Sequence, residues 1–260
     1  MSIFLAIFVL IFGLVIGSFL NAVIWRLRTR EGFVRGRSYC PRCGHQLAAW
    51  DLVPLCSFIW LKGRCRYCRQ AISWQYPVVE AAVGVLFLLF AWRVAPPGNL
   101  WHGPDIMSLL LAWFLVAVMT IVFVYDLRYM LILRSVTLPA AALAFLANLA
   151  LGRSLTDLLI GCLLGYGFFW LQHVVSRGRW IGGGDMQLGL LMGAALGWPL
   201  IAVALWLAYV VGALYAGVML LLRRSGWKSQ IPFGTFLSAA TLATLLIGTK
   251  LLSWYLHIPL

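Results

Sequence analysis

Acidic side chains are scarce here: 260 residues contain seven Asp and Glu, and charged residues of either sign make up 10% of the chain. With 63% hydrophobic side chains and a mean hydropathy of +0.95, too little polar surface remains for a soluble domain with a wetted exterior. Ionisable groups are also missing from the middle of the apolar runs. Ion-coupled transporters carry theirs near the bilayer midplane, so a transporter is disfavoured. The one triple-glycine turn, Gly182–Gly184, lacks both the Lys and hydroxyl of a phosphate-binding P-loop and the G-x-G-x-x-G spacing of a dinucleotide site, which weakens nucleotide readings. No basic segment precedes the first apolar run, which ends in Arg26. That run reads as an uncleaved first span rather than a signal peptide.

What is abundant is apolar sequence in span-length pieces. Nearly charge-free stretches lie at about 3–25, 81–92, 106–125, 135–152, 158–176, 186–222 and 229–249, and a hydrocarbon core of about 30 Å needs roughly 17–25 helical residues. The stretch 186–222 has room for two spans, and Gly197-Trp198-Pro199 supplies a breaker and an interfacial aromatic for a tight hairpin. The expectation is an all-α polytopic membrane protein of about eight transmembrane helices. Seventeen of the twenty Lys and Arg residues fall on one side of such a topology: ten within 26–78, then Arg128 and Arg134, Arg177 and Arg179, and Arg223, Arg224 and Lys228. Arg93, Arg153 and Lys250 fall on the other. The positive-inside rule makes the crowded side cytosolic and puts both ends of the sequence outside. The net charge of +13 is then topology signal and attraction to anionic lipid, not evidence for nucleic acid.

Between the first two spans, Cys40-Pro-Arg-Cys43 and Cys65-Arg-Tyr-Cys68 stand 21 residues apart. Two such knuckles bring four thiolates to one tetrahedral Zn²⁺. Disulfides, the competing use of these cysteines, rarely persist in a reducing cytosol. A segment this short buries little core, so metal binding supplies its folding free energy, and four thiolates leave no open position for water: the role is structural. His45, beside Cys43, is a weaker candidate ligand, and Cys56 and Cys162 read as small packed hydrophobes. The organisation is a first transmembrane helix (1–25), a cytosolic zinc module (26–78) and a transmembrane core (79–260).

Two of the few acids carry the chemistry. Asp126 ends the third span and Asp185 begins the sixth, both on the cytosolic side although 58 residues separate them. If their carboxyls meet, they share one proton and titrate as a unit, the state needed for water-mediated peptide hydrolysis. Gly182, Gly183 and Gly184 before Asp185 suit the close approach of an extended substrate backbone. Blander roles compete: an N-cap for Asp185, and an interfacial ion pair with Arg128 or Arg134 for Asp126. Glu80, at the entrance of the second span, is a further candidate site acid. His102, His173 and His257, at span ends, read as interfacial polar residues.

The chain resembles the type IV prepilin peptidase family, bifunctional leader peptidases and N-methyltransferases of type IV pilus and type II secretion systems. The likeness rests on Gly17-Ser-Phe-Leu-Asn21, the cysteine module, Tyr76-Pro77-Val-Val-Glu80, Asp126-Leu-Arg128, Gly182-Gly-Gly184-Asp185 and Ile231-Pro-Phe-Gly234-Thr-Phe-Leu237. It implies catalytic roles for Asp126 and Asp185, and cleavage of the basic leader of a prepilin or pseudopilin after a glycine at the inner-membrane cytosolic face. It further implies methyl transfer from S-adenosylmethionine to the new N-terminus. Two positions depart from the family pattern: Arg134 stands where an acid is usual, and Gln187 where a lysine is usual. These departures leave open a peptidase without methyl transfer, beside a catalytically silent assembly scaffold.

Overall fold

The computed structural model describes residues 2–32, 36–94, 103–222 and 231–257. Arg35, His102, Arg223, Arg224 and Lys228 lie outside the described residues. Apolar runs in lipid must satisfy their backbone groups internally, and they do so as helices. Eight helices of fourteen residues or more stand among the described residues: α1 (Ile3–Thr29), α3 (Gln75–Val94), α4 (Gly103–Tyr129), α5 (Arg134–Ala150), α6 (Leu155–Val175), α7 (Gly183–Leu196), α8 (Leu200–Leu221) and α9 (Phe233–Leu256). Six are long and apolar enough to cross a membrane, which makes the protein an all-helical polytopic membrane protein. The other two match expected spans in position but are shorter, α5 at 17 residues and α7 at 14. The expected hairpin is present, with α7 closing at Gly197 in a positive-φ conformation.

The chain forms two compact units, Met1–Asp105 and Ile106–Leu260. In the first, α1 packs on α3 through small residues: a Cβ on Gly13 would stand 2.8 Å from Gly84 Cα, and one on Gly17 2.7 Å from Glu80 Cα. Only glycine permits that backbone approach. Asn21 fixes the register, donating to the Gly17 and Tyr76 carbonyls and accepting from Gln75 Nε2 at 3.0 Å. Between the two helices lie a 3₁₀ turn (Ala49–Leu52) and a short helix, α2 (Cys56–Trp60). They are flanked by two hairpin-like turns closed at Tyr39–Gln46 and Arg64–Ala71.

In the second unit, α7 is the central helix: α5, α6, α8 and α9 all pack against it, and Leu188, Gly189 and Leu191–Leu196 are buried. Its long contact with α6 is glycine against glycine. A Cβ on Gly161 would meet the Gly193 carbonyl oxygen at 2.8 Å, and Gly165 faces Gly189 one turn along. At its far end, the α7 carbonyls that no helical amide can reach are answered by protein. Asn148 Nδ2 donates to the Ala194 and Ala195 oxygens at 2.9 and 3.3 Å, and Arg153 donates to the Leu196 oxygen at 2.8 Å. The cation also suits the negative end of the helix dipole. Large side chains on the outer faces, such as Phe4, Phe8, Leu163 and Leu214, are exposed as lipid-facing residues should be.

Gly193→Val should therefore destabilise the chain by about 1–3 kcal/mol, because the added side chain drives two backbones apart. Gly167→Ala, where nothing lies within 4 Å, should be neutral or stabilising by up to about 1 kcal/mol from helix propensity. Thermal unfolding of the two purified variants in detergent makes the comparison.

Candidate functional sites

The four cysteines of the first unit converge. One sulfur from each of Cys40, Cys43, Cys65 and Cys68 lies within 4.8 Å of the others, with Cys40 and Cys68 3.9 Å apart. A tetrahedral zinc ion with bonds of about 2.3 Å sets its sulfurs about 3.8 Å apart, so the donor set fits that ion. The two knuckles are built alike. Cys40 N donates to His45 O and Gly44 N to Cys40 O; Cys65 N donates to Gln70 O and Arg69 N to Cys65 O. The matching positions Gly44 and Arg69 both take positive φ, 71° and 58°. Burial opposes ionisation of Cys40, yet the amides of Cys43 and Arg42 and the neighbouring thiols outweigh it and hold its pKa to about 7. Cys68 is pushed up to about 11 by the surrounding thiols and burial, although the Gln70 amide works the other way.

His45 is not among the converging groups. Its ring stacks on Tyr67 with centroids 3.6 Å apart. Asp51 ties the 3₁₀ turn to the second knuckle, accepting from Ala48 N, from Arg66 Nε at 2.7 Å and from Tyr67 Oη. Burial opposes its ionisation, but the Arg66 guanidinium and these donors hold its carboxyl below the usual range. Cys56, expected to be packed, is exposed on α2, while Cys162 is half-buried. Glu80 is buried, and its Oε2 accepts from Leu55 N at 2.9 Å. Leu55 has φ of 59°, so this acid braces a strained turn of the module against α3.

The two aspartates interact electrostatically in the second unit. Asp126, in the last turn of α4, is buried. Its Oδ2 accepts from the Thr235 amide at 3.0 Å, and the Gly234 amide also bonds to its carboxyl. These are amides of the first turn of α9, whose dipole and unpaired donors favour an anion. Asp185, in the first turn of α7, is half-buried. Its Oδ2 accepts from Gly182 N at 3.2 Å, and it interacts electrostatically with Asp126. Asp185 is therefore not the N-cap of α7, a position taken by Gly182, but its third residue, whose carboxyl reaches back to the N-cap amide.

Ile132 stands between the elements that carry the acids. Its Cβ would lie 2.8 Å from a Cβ on Gly184, and its Cδ1 3.0 Å from one on Gly234. Gly184 is thereby occupied by the protein's own packing. Gly182 and Gly183 are exposed, and a Cβ on either would make only ordinary contact, with Asp185 Oδ2 at 3.7 Å and Met186 Cε at 3.8 Å. Tyr209 of α8 interacts with Asp185, donates to Gln172 Oε1 at 3.0 Å and meets Phe233 edge-on at 4.9 Å. His173 Nδ1 faces the Ile181 carbonyl at 2.8 Å. Arg134 is exposed at the start of α5, and Gln187 lies 3.5 Å from Thr137 Oγ1.

Gly234, Thr235 and Tyr209 were not singled out by residue type. The readable signal was the proline-started helix: Pro232 followed by a glycine in the first helical turn marks an amide end able to take an anion.

Comparison with known proteins follows the same division. Residues 11–94 match the model of the bacterial peptidase A24 N-terminal domain, and residues 113–217, which hold both aspartates, match that of the type IV leader peptidase family. The chain is 36% identical over 278 residues to the prepilin leader peptidase/N-methyltransferase of Aeromonas salmonicida, covering 95% of this chain and 92% of the relative. It is 34% identical over 276 residues to that of Stutzerimonas stutzeri, covering 95% and 92%, and 33% identical over 272 residues to that of Burkholderia pseudomallei, covering 93% and 85%. No solved structure matches the chain significantly.

A Cβ at Gly234 would lie 2.9 Å from Asp126 Oδ2. Gly234→Ala should then cost about 1–3 kcal/mol by forcing the carboxyl off its amide donors. In an Asp126→Ala background the same substitution should cost less by 1 kcal/mol or so, a coupling that a double-mutant cycle of unfolding free energies measures.

Proposed function

Because the chain belongs to the type IV leader peptidase family and is an enzyme of that family, we propose that it is an aspartic endopeptidase using Asp126 and Asp185. Its substrates are type IV prepilins or pseudopilins, cut after a glycine at the end of a basic leader, at the cytosolic face of the bacterial inner membrane. The observation that carries this reading is the electrostatic interaction of two carboxyls with 58 residues between them in sequence, one fixed by the amide end of α9 and the other beside the exposed glycines Gly182 and Gly183. Two close carboxyls hold one proton between them. The ionised member takes a proton from the attacking water while the protonated member donates to the scissile carbonyl; collapse of the tetrahedral intermediate then delivers a proton to the leaving amine. The substrate backbone passes Gly182 and Gly183, where no side chain blocks it.

Zn²⁺ in the Cys40, Cys43, Cys65 and Cys68 site is assigned a structural role, since four thiolates leave it no labile position. S-adenosylmethionine, when bound, supplies the methyl group for the new N-terminal amine. An apolar cavity of about 380 Å³ lined by Leu138, Ala141, Ala142, Phe145, Leu146, Cys162, Leu190 and Ala194 lacks the polar partners such a charged nucleoside needs, and no residues are assigned to hold it. By role the chain divides into a first helix (1–25), a zinc module (26–78) and a peptidase core (79–260). By packing, α3 belongs with α1. The charge asymmetry supports a cytosolic module and active site, with both ends of this sequence outside. Glu80, bonded to the module's own backbone, reads better as a brace than as a proton donor to substrate.

In membranes containing a prepilin, Asp126→Asn and Asp185→Asn should each lower the cleavage rate at least about 10²-fold, the scale of a lost general acid or base. Survival of cleavage in either variant removes the mechanism. Mass spectrometry of the mature N-terminus reads methyl transfer in the same assay. Metal analysis should find about one zinc per chain in the wild type and in both aspartate variants, and a small fraction of that in Cys65→Ser.

A further inference from the structure

The cysteine module carries an exposed aromatic face that neither the metal nor the peptidase reading uses. Trp50 is 80% exposed, Ile59 74%, Trp60 86% and Trp74 72%. Scattered apolar residues need no explanation, but these share one region. Trp50 lies on the 3₁₀ turn that packs against α2, α2 ends with Ile59 and Trp60, and Trp74 packs on Phe58 of α2 with ring centroids 5.0 Å apart. Exposed cations, Lys62 and Arg64, follow Trp60 directly. The acids of the module do little to offset that charge: Asp51 is taken up by Arg66, with its side chain 3% exposed, and Glu31, which accepts from Tyr39 Oη, is the one other carboxylate against ten Lys and Arg within 26–78.

We propose that this face of the module docks on anionic lipid headgroups of the bilayer its own helices cross. Charge selects the occupant. Indole rings beside lysine and arginine are the side chains of an interfacial anchor, with apolar rings at the acyl boundary and cations among phosphates. Tethering selects it again, because α1 enters the module at one end and α3 leaves it at the other, so the bilayer surface is always within reach at high effective concentration. Docking holds the module flat against the membrane, with Leu55 and Glu80 joining it to α3. Lipid contact here stands independently of peptide cleavage, and its test reads contact alone.

The full chain is reconstituted in nanodiscs of phosphatidylcholine with phosphatidylglycerol, and the fluorescence lost in a W50F/W60F/W74F variant isolates the emission of these three rings from that of the others. Acyl-chain-brominated phosphatidylglycerol should lower that component about twofold, while iodide in the buffer leaves most of it intact. With the bromine carried instead on phosphatidylcholine at equal bromine content, quenching should be weaker in discs of phosphatidylcholine alone than in discs that also hold phosphatidylglycerol, and raising salt should reduce it in the latter. A component insensitive to brominated lipid overturns the proposal, whether iodide quenches it freely, as for a face in water, or not at all, as for a face covered by protein. Equal zinc content in wild type and variant establishes that the module has kept its fold.

Discussion

Lipid offers a carboxylate no hydrogen-bond partner, so a buried acid in this bundle stands only where the chain itself supplies donors, and Asp126 is the sharpest case. Its donors come from α9, more than a hundred residues away in sequence, at a helix end whose amides have nothing else to bind. The last turn of α4 and the first turn of α9 are thereby locked together. Gly234 is glycine because the carboxyl occupies the space of its side chain. Ile132 fills the gap toward Gly184, so the entrance of α7 is seated against the same joint. The position of Asp185 follows from that seating.

Much of this was legible in the sequence, for physical reasons that differ by element. Spans are readable because hydrocarbon thickness fixes their length, and the α7–α8 hairpin because Gly197 and Pro199 cannot continue a helix. The cysteine site is readable because tetrahedral ligation demands paired knuckles, and the four sulfurs do converge. The interaction of Asp126 with Asp185 is of another kind. Nothing local encodes it; only the packing of helices around α7 brings the two together.

Other features were present as patterns but carried no obvious role. Gly161, Gly165, Gly189 and Gly193 have small-xxx-small spacing on both α6 and α7, yet the pattern does not say which helices pair. Arg153 read as a topology residue, whereas its guanidinium closes the carbonyl end of α7. Asn148, a polar residue within an apolar run, closes the same end from α5. Within the triple glycine, Gly184 is the one pressed against another element, a Cβ there meeting Ile132 at 2.8 Å. Each of these partners is chosen by tertiary packing rather than by local sequence.

The shortness of α7 then acquires a meaning. Gly161 pairs with Gly193 and Gly165 with Gly189 across the antiparallel α6–α7 contact, a register that sets Phe169 opposite Asp185. Helix α6 continues to Val175, six residues further, and at 1.5 Å per residue this leaves Asp185 about 9 Å short of the end of α6. An ordinary span would have carried the acid out to that end. Here the far end of α7 is fixed by Asn148 and Arg153, and its entrance is a glycine turn that needs little room. The carboxyl therefore lies inside the level of the end of α6, where it interacts electrostatically with Asp126. For the proposed cleavage this is the useful level: a substrate that is itself a membrane helix carries its scissile bond at the end of that helix, and the truncation of one central helix sets Asp185 back toward it.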